Sequence, residues 1–336
     1  MRALVWQGAQ DFRIENVPGP VVERGRLIVK VAAAAVCGSD FHMDDFGTLP
    51  PLVLGHEVAG TVHEIGDGVE QFHIGDRVVL NPVQTCGTCW CCQNGVGHLC
   101  ENYRHLGIAA IQGGWAEYVA IDAANTHHIP HDIDFASASL IEPLAVCYES
   151  FQRASLQEGQ TVLIIGDGPF GFLHAQVARS LGAGKIVVAG HYDRRLARIA
   201  KAAKITTCNS HNEDISGVVE REIGSPGVDV VIEATGAGPS PNIGLKVLRP
   251  RGTIVIFSYV WKPDLLEMGL IHMRELNMLG ACRSLNAYEK CIGLMQSKTV
   301  DTGLLIDRRL ALVDYSEAID AVQNHKAEVF KVVFEP

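Results

Sequence analysis

Four cysteines lie close together in the segment CGTCWCCQNGVGHLC. Cys86, Cys89, Cys92 and Cys100 are separated by two, two and seven residues. Four thiolates in one loop can hold zinc in a closed tetrahedral site, whereas without a metal they would repel one another and oxidise. Such a site leaves no position for a substrate, so we expect a structural zinc that staples a loop with little apolar core. Cys91 is an alternative to Cys92, although the regular spacing favours Cys92.

A second set of metal-binding residue types is spread along the chain. VCGSDFH contains Cys37, LGHEVAG contains His56 and Glu57, and IEPLAV contains Glu142. A lone Cys or His is usually structural, but a thiolate, an imidazole and a carboxylate together can bind Zn²⁺ and leave one position for a substrate oxygen. This set therefore predicts a catalytic zinc site.

The segment GDGPFG has the GxGxxG spacing of a dinucleotide-binding turn and lies between an apolar strand and a helix. The first glycine permits the tight turn, the second lets the backbone approach a pyrophosphate, and the third lets the helix pack on the strand. The pyrophosphate would lie at the helix N-terminus. The predicted cofactor-binding residues here are Gly166, Gly168, Pro169, Phe170 and Gly171.

The end of the next apolar run, KIVVAG, is where an NAD-binding chain has the acid that accepts the ribose hydroxyls. Gly190 stands there instead, followed by His191, Arg194 and Arg195. A missing carboxylate removes the repulsion of a 2′-phosphate, and a guanidinium adds attraction, so NADP is favoured over NAD. The alternative is that both arginines face solvent and Asp193 supplies the carboxylate.

The elements that must position these residues change in character along the chain. Residues 1 to about 145 contain short β-rich runs with Gly and Pro between them, which predicts a strand-rich domain. From about 158, apolar strands alternate with helical segments, as in a parallel sheet with crossover helices. Near 276 this alternation ends, and the last residues indicate a helix and a final strand.

Composition limits the functional class. The chain has 336 residues and a net charge of −10, which argues against nucleic acid or an anionic membrane as a partner. The first residues resemble no signal peptide, and no apolar run approaches the ~18 residues of a membrane span. We therefore expect a cytoplasmic protein, whose ten cysteines stay reduced.

The chain contains four motifs of interest: GHE before VAG, the four-cysteine loop, GGWAEYV and the glycine-rich turn. In these motifs together it resembles the zinc-dependent medium-chain alcohol dehydrogenases. The branch they resemble is that of the sorbitol (polyol) and threonine dehydrogenases, because the simple alcohol dehydrogenases have a cysteine ligand where Glu142 lies. The resemblance implies an α/β fold, with a Rossmann doubly wound parallel sheet inserted in a strand-rich GroES-like catalytic domain. The implied division is 1–145, 146–275 and 276–336, with the active-site cleft at the junction of the two domains.

The resemblance also implies roles at the catalytic zinc. Cys37 and His56 would be ligands, Glu57 looks like the third ligand, and Glu142 would either ligate directly or hold the water beside the metal. Asp40 resembles the carboxylate that orients the histidine ligand. The chain would then bind two zinc ions, one catalytic and one structural.

Three further residues match the family's machinery for proton transfer and substrate binding. Ser39 and His42 match a relay that carries the alcohol proton through the nicotinamide ribose to the imidazole. Arg283 lies where an arginine contacts polyols in sorbitol dehydrogenases, and a surface arginine is the alternative. Family members are usually homodimers or homotetramers.

The predicted function is a zinc- and NAD(P)-dependent oxidoreductase that interconverts a secondary alcohol and a ketone. Its expected small-molecule substrate is polyhydroxylated: a sugar alcohol, sugar acid, cyclitol or aminocyclitol. One alternative is a threonine-type dehydrogenase acting on a β-hydroxy amino acid. Another is a non-catalytic nucleotide-binding protein that has kept the fold.

Overall fold

A computed structural model describes residues 1–109 and 111–336 in full and the backbone alone at position 110. The strands are β1 Arg2–Gly8, β2 Asp11–Asn16, β3 Arg26–Ala35, β4 Leu52–Val53, β5 Glu57–Ile65, β6 Arg77–Leu80, β7 Val83–Gln84, β8 Arg104–Leu106, β9 Ala110–Ile111, β10 Tyr118–Asp122, β11 Thr126–His128, β12 Val162–Ile165, β13 Ile186–Gly190, β14 Thr206–Asn209, β15 Val228–Glu233, β16 Leu248–Ile256, β17 Asn277–Gly280, β18 Ile306–Leu310 and β19 Lys331–Phe334. The α-helices are α1 Trp90–Gln93, α2 Phe135–Ser139, α3 Ile141–Ala154, α4 Pro169–Ser180, α5 Asp193–Ala203, α6 Ile215–Glu222, α7 Ser240–Val247, α8 Met268–Met273, α9 Tyr288–Gln296 and α10 Tyr315–Asn324.

The first compact unit consists of Met1–Pro143 and Arg283–Pro336. Its main sheet has the strand order β11-β6-β5-β3-β19-β18, with β10 also paired to β3. Two smaller sheets, β2-β1-β4 and β7-β8-β9, complete its strands. The large buried side chains of its core include Trp6 and Trp115, and the long central strand β3 pairs with three others, β5, β10 and β19.

The second compact unit is Leu144–Cys282, and it contains a six-stranded parallel sheet. The strand order β14-β13-β12-β15-β16-β17 is the 3-2-1-4-5-6 order of a doubly wound dinucleotide-binding fold. All four residues of β12 and all five of β13 are buried, as expected for strands covered on both faces. The prediction of a Rossmann sheet combined with a strand-rich domain is confirmed.

The predicted division into 1–145, 146–275 and 276–336 stays a prediction.

Across the part of the chain that the structure describes, no helix combines the length and the apolar character needed to cross a bilayer.

Candidate functional site

The four predicted structural cysteines meet in one cluster after β7. Neighbouring sulfur atoms of Cys86, Cys89, Cys92 and Cys100 lie 3.5, 3.5, 3.7 and 4.0 Å apart. Tetrahedral zinc with bonds of ~2.3 Å separates its sulfur ligands by about 3.8 Å, so both the donor set and its spacing fit zinc. Cys91 lies outside the cluster, as the regular spacing favours.

Backbone amides reinforce this cysteine cluster. The Cys89 amide donates to Cys86 Sγ at 3.4 Å, and the Cys86 amide donates to Cys100 Sγ at 3.3 Å. Hydrogen bonds from the backbone and hydroxyl of Thr88, and then from the Cys89 amide, lower the pKa of Cys86 to about 5. A thiol that ionises so readily is suited to bind a cation, because the thiolate is the metal ligand.

Strand pairing assembles the second cluster, which consists of Cys37, His56 and Glu57. Ala35 at the end of β3 pairs with Glu57, the first residue of β5. Cys37 follows β3 by two residues and His56 directly precedes β5, so one potential ligand atom from each of the three lies within 4.8 Å of the others. All three residues are buried. The structure thus brings together a thiol, an imidazole and a carboxylate from two segments.

Asp40 fixes two members of this cluster. It lies in the short 3₁₀ helix Gly38–Phe41, where Oδ2 accepts a hydrogen bond from the Cys37 amide at 2.8 Å. Its Oδ1 is 3.3 Å from Nδ1 of His56. Because Nδ1 faces a carboxylate, Nε2 is the ring nitrogen available to a metal.

Lys331 is a member of the site that sequence reasoning missed. Its ammonium donates to Glu57 Oε1 at 2.5 Å and to the Val36 carbonyl at 3.1 Å, and it is buried. The pairing of β19 with β3 brings it there. In the sequence, Lys331 could have been noticed as the one charged residue of the apolar final strand, KVVF. Glu57 Oε2 is buried and has no hydrogen-bond partner among the described residues, so it remains free to bind a cation.

The cluster combines acidic and basic groups. Burial lowers the pKa of His56, but the attraction of Asp40 and Cys37 outweighs burial and raises that pKa well above its usual value. Asp40 lies beside His56, and Glu57 is bonded to Lys331 through Oε1, which leaves Glu57 Oε2 without a partner among the described residues. A thiolate, an imidazole and a carboxylate are ligands that zinc takes. These residues therefore fit zinc.

Glu142 lies close to this cluster without being one of its three members. It is buried near the start of α3. Burial and the charge of Glu57 raise its pKa to about 7, against the opposing effect of His56. Of the two predicted acidic ligands, Glu57 is the one grouped with Cys37 and His56, and the role of Glu142 stays a prediction.

The predicted relay residues lie at the other end of the same turn. Ser39 is half-buried, and His42 is exposed, with its Nδ1 2.9 Å from Asp45 Oδ2. Within the turn, the His42 amide donates to the Ser39 carbonyl at 3.0 Å. The imidazole therefore contacts both solvent and a carboxylate.

Arg283 packs against the end of the cysteine loop. Its guanidinium carbon lies 3.8 Å from the ring centre of Tyr103, and its Nη1 donates to the His98 carbonyl at 3.4 Å. Whether Arg283 contacts substrate stays a prediction.

His105 is buried, and its ring centre lies 5.5 Å from that of His56. Burial, and then the charge of His56, lower the pKa of His105 to about 3, so its ring is neutral.

In the second unit, the glycine-rich turn joins β12 to α4 as predicted from its spacing. Gly166 follows β12 with a φ of 130°, Gly168 is the N-cap of α4, and Pro169 is the first helical residue. The ring of Phe170 packs edge-on against Phe257, with 4.8 Å between ring centres. The helix N-terminus, with its unpaired amides, is thereby available to an anion.

Gly190 ends β13, but the space beside it is filled. A Cβ at Gly190 would lie 2.3 Å from Cβ of Asp167, whose side chain occupies that space. Asp167 Oδ2 accepts hydrogen bonds from the amides of His191 and Tyr192 at 2.8 and 2.7 Å. An acid from inside the glycine-rich turn therefore holds the turn after β13. Asp167 was missed because the ribose-binding acid was expected only at the end of β13.

The basic residues after Gly190 differ in accessibility. His191 and Arg194 are exposed, whereas Arg195 is buried, and a Cβ at Gly168 would lie 4.0 Å from its Nη1. Arg195 lies on the buried face of α5 and is therefore less accessible than Arg194, and binding of a 2′-phosphate by either arginine stays a prediction. Asp193 is the alternative acid for binding the ribose hydroxyls. One of its oxygens, Oδ1, already accepts a hydrogen bond from the Asn209 side chain at 2.6 Å.

Comparison with known proteins agrees with this architecture. The family described as alcohol dehydrogenase GroES-like domain matches residues 23–131, and the family described as zinc-binding dehydrogenase matches residues 169–297. The sorbitol dehydrogenase of Bacillus subtilis is 30% identical over 100% of this chain and 97% of its own length. The L-threonine 3-dehydrogenase of Bacillus velezensis is 30% identical over 100% of this chain and 99% of its own.

A solved structure is similar throughout. The putative zinc-binding dehydrogenase from Sinorhizobium meliloti, bound to NADP, is 29% identical with a TM-score of 0.92 and covers 100% of this chain and 99% of its own. The chain belongs to the zinc-dependent medium-chain alcohol dehydrogenases, in the branch that contains the sorbitol dehydrogenases.

Proposed function

We propose that this protein oxidises a secondary alcohol of a polyhydroxylated small molecule to a ketone, or catalyses the reverse reaction, with NAD(P) as hydride acceptor or donor. The observation that carries the proposal is the buried Cys37–His56–Glu57 cluster, in which Glu57 Oε2 has no hydrogen-bond partner among the described residues. In oxidation, the substrate C–H bond gives a hydride and its O–H bond gives a proton. A bound zinc ion supplies Lewis acidity, and the nicotinamide supplies the hydride acceptor.

The chain's own residues would hold the metal and move the proton. Cys37, His56 and Glu57 would bind the zinc, and Asp40 would keep the His56 ring in orientation. Ser39 would take the alcohol proton from the buried site toward the exposed imidazole of His42, which releases it to water. Asp45, 2.9 Å from His42 Nδ1, would hold the imidazole in place.

Charge favours a neutral polyol over threonine. A threonine carboxylate would need a cation to pair with at the site. Lys331 is already bonded to Glu57, and Arg283 is stacked on Tyr103 and bonded to a carbonyl. Within the proposed class of sugar alcohols, sugar acids, cyclitols and aminocyclitols, the same argument favours the neutral members.

Substrate profiling tests this proposal. We expect the purified zinc-loaded protein to reduce NAD(P) with sorbitol, xylitol or myo-inositol, read as absorbance at the nicotinamide band. Activity confined to L-threonine would support the alternative dehydrogenase. Absence of hydride transfer with any hydroxylated substrate would support a non-catalytic nucleotide-binding protein.

We further propose two zinc ions per chain with separate tasks, and serine variants test this division. Cys37→Ser should abolish turnover and leave the thermal midpoint almost unchanged, because an open site contributes less to folding than a closed one. Cys89→Ser should lower the midpoint by roughly 10 °C, because it opens a closed site that staples an exposed loop. Calorimetry and metal analysis measure both effects.

Cys91→Ser is the matched control, since Cys91 lies in the same loop but outside the cluster. It should leave zinc content, midpoint and turnover unchanged. Equal destabilisation by Cys37→Ser and Cys89→Ser would contradict the proposed division of tasks.

We also propose that the protein prefers NADP to NAD. The exposed Arg194 and His191 lie at the end of β13, and the Asp167 carboxylate nearby is held by two backbone amides. Arg194→Ala should raise the KM for NADP about tenfold and change that for NAD less than about twofold, because only NADP carries the extra phosphate. Steady-state kinetics with both cofactors give the ratio.

Lys201→Ala is the control, because Lys201 is an exposed cation at the far end of the same helix α5. It should leave both KM values unchanged. A higher kcat/KM with NAD in the wild type would overturn the proposal and leave Asp167 as the candidate ribose-binding acid. A side chain at Gly190 is unsuitable as a test, since it would collide with Asp167.

We propose that the protein forms a homodimer or a homotetramer, because the parallel sheet has an open edge. β17 is the edge strand, and the preceding segment exposes Leu265 by 95% and Met273 by 79%. Exposed apolar side chains beside the open edge of a sheet favour association between chains. We expect light scattering to give two or four chains of 36.3 kDa, and Met273→Glu to reduce that number.

Ile74→Glu is the control for association, since Ile74 is 72% exposed in the other compact unit. It should leave the mass unchanged. A wild-type mass of one chain would contradict the proposed assembly.

A further inference from the structure

Asp167 lies between the first and second glycines of the glycine-rich turn. Strands β12 and β13 pair in parallel, with Ile165 opposite Ala189. The next amide, that of Gly166, donates to the Ala189 carbonyl at 2.8 Å, so the turn runs directly beside the end of β13. Asp167 therefore lies next to Gly190, the last residue of that strand.

The carboxyl group of Asp167 occupies the position that a side chain at Gly190 would take. A Cβ at Gly190 would lie 2.5 Å from Cγ and 2.6 Å from Oδ2 of Asp167. The aspartate thus leaves no room for a side chain at the end of β13. This strand end is where a dinucleotide-binding fold places the acid that binds the ribose. The chain has a carboxylate at that place, but the carboxylate comes from the neighbouring turn.

Two backbone amides fix the orientation of this carboxylate. Asp167 is 6% exposed, and the amides of His191 and Tyr192 both donate to the same oxygen, Oδ2, at 2.8 and 2.7 Å. A carboxylate can accept about four hydrogen bonds on its two oxygens. Oδ1 is therefore not needed to hold the turn, and it can accept a hydrogen bond from a hydroxyl group.

The turn is open on the side of Gly168, the residue that follows Asp167. Apart from the chain neighbours, Nη1 of Arg195 is the only atom of the described residues that would come within 4.0 Å of a Cβ at Gly168. An opening of this kind lets the backbone approach a pyrophosphate. Because the adenosine ribose adjoins the pyrophosphate, a dinucleotide bound at this opening would bring a ribose hydroxyl toward Asp167.

We propose that Asp167 is the acid that binds the adenosine ribose, and that it accepts a hydrogen bond from the 3′-hydroxyl. This inference rests on the proposed function, because it requires that the protein bind NAD(P). NADP carries a phosphate on O2′, which a carboxylate repels, so the 3′-hydroxyl is the donor that NAD and NADP share. Asp167 then binds a group common to both cofactors, whereas the proposed contact of Arg194 is with the extra phosphate.

Binding of the adenosine half alone tests this inference without any substrate. ADP and 3′-deoxy-ADP are compared by calorimetry, in the wild type and in Asp167→Asn. The wild type should bind ADP at least about tenfold more tightly, because a hydrogen bond to a carboxylate is charge-assisted. Asp167→Asn should reduce that ratio to about threefold or less, since the amide keeps the size of the side chain but loses its charge.

Asp193→Asn is the matched control, because Asp193 is the other acid close to the end of β13 and its Oδ1 is bonded to Asn209. It should leave the ratio unchanged. A wild type that binds both nucleotides equally, an unchanged ratio in Asp167→Asn, or loss of the ratio in Asp193→Asn would each overturn the inference. A wild type that binds neither ADP nor NADPH would instead refute the proposed function.

The thermal midpoint is measured on the same preparations, because Asp167 also holds the turn after β13. If Asp167→Asn does not fold, the double variant Asp167→Gly/Gly190→Asp decides the question. It empties the space beside residue 190 and returns the acid to the strand end, so it should keep the preference for ADP within about threefold of the wild type. Equal binding of ADP and 3′-deoxy-ADP by the folded double variant would overturn the inference.

Discussion

The pairing of β3 with β5 is the constraint on which the candidate catalytic site depends. It sets Glu57 opposite Ala35 and so brings Cys37 at the end of one strand to His56 at the start of the other. The result is a buried group of acids and a thiol with one bonded lysine, Lys331. A thiol, an imidazole and a carboxylate in one buried group are ligand types that zinc takes, so this arrangement is understandable as the binding site of a metal ion.

The two candidate metal clusters differ in how the chain holds them. The cysteines of the four-cysteine cluster come from one loop of fifteen residues, from Cys86 to Cys100, whose helical parts are the single-turn helix α1 and the 3₁₀ turn Gly97–Leu99. The Cys37–His56–Glu57 cluster takes its residues from the start of β5 and from the segments next to β3 and β5, and Asp40 and Lys331 fix them from two further positions. A closed site suits a loop without a core of its own, whereas an open site depends on a rigid sheet to keep its ligands in place.

Part of the fold and of the candidate sites was predictable from local spacing in the sequence. The four cysteines and the glycine-rich turn are contiguous motifs whose chemistry depends on near neighbours, and the parallel sheet followed from alternating apolar strands and helices. Lys331, Asp167 and His105 were missed because each acts on a residue distant in the chain: Glu57, the turn after Gly190, and His56. The difference in burial between Arg194 and Arg195 was not predictable for a related reason, since only packing shows which face of α5 is buried.

The proposed chemistry depends on zinc binding by the Cys37–His56–Glu57 cluster in the folded protein. A crystal structure of the purified protein, with anomalous scattering measured at the zinc edge, is the most direct test of this binding. We expect two zinc peaks per chain, one among the four cysteines and one contacted by Cys37 and His56. A single peak at the four cysteines, with Glu57 bonded only to Lys331, would contradict it.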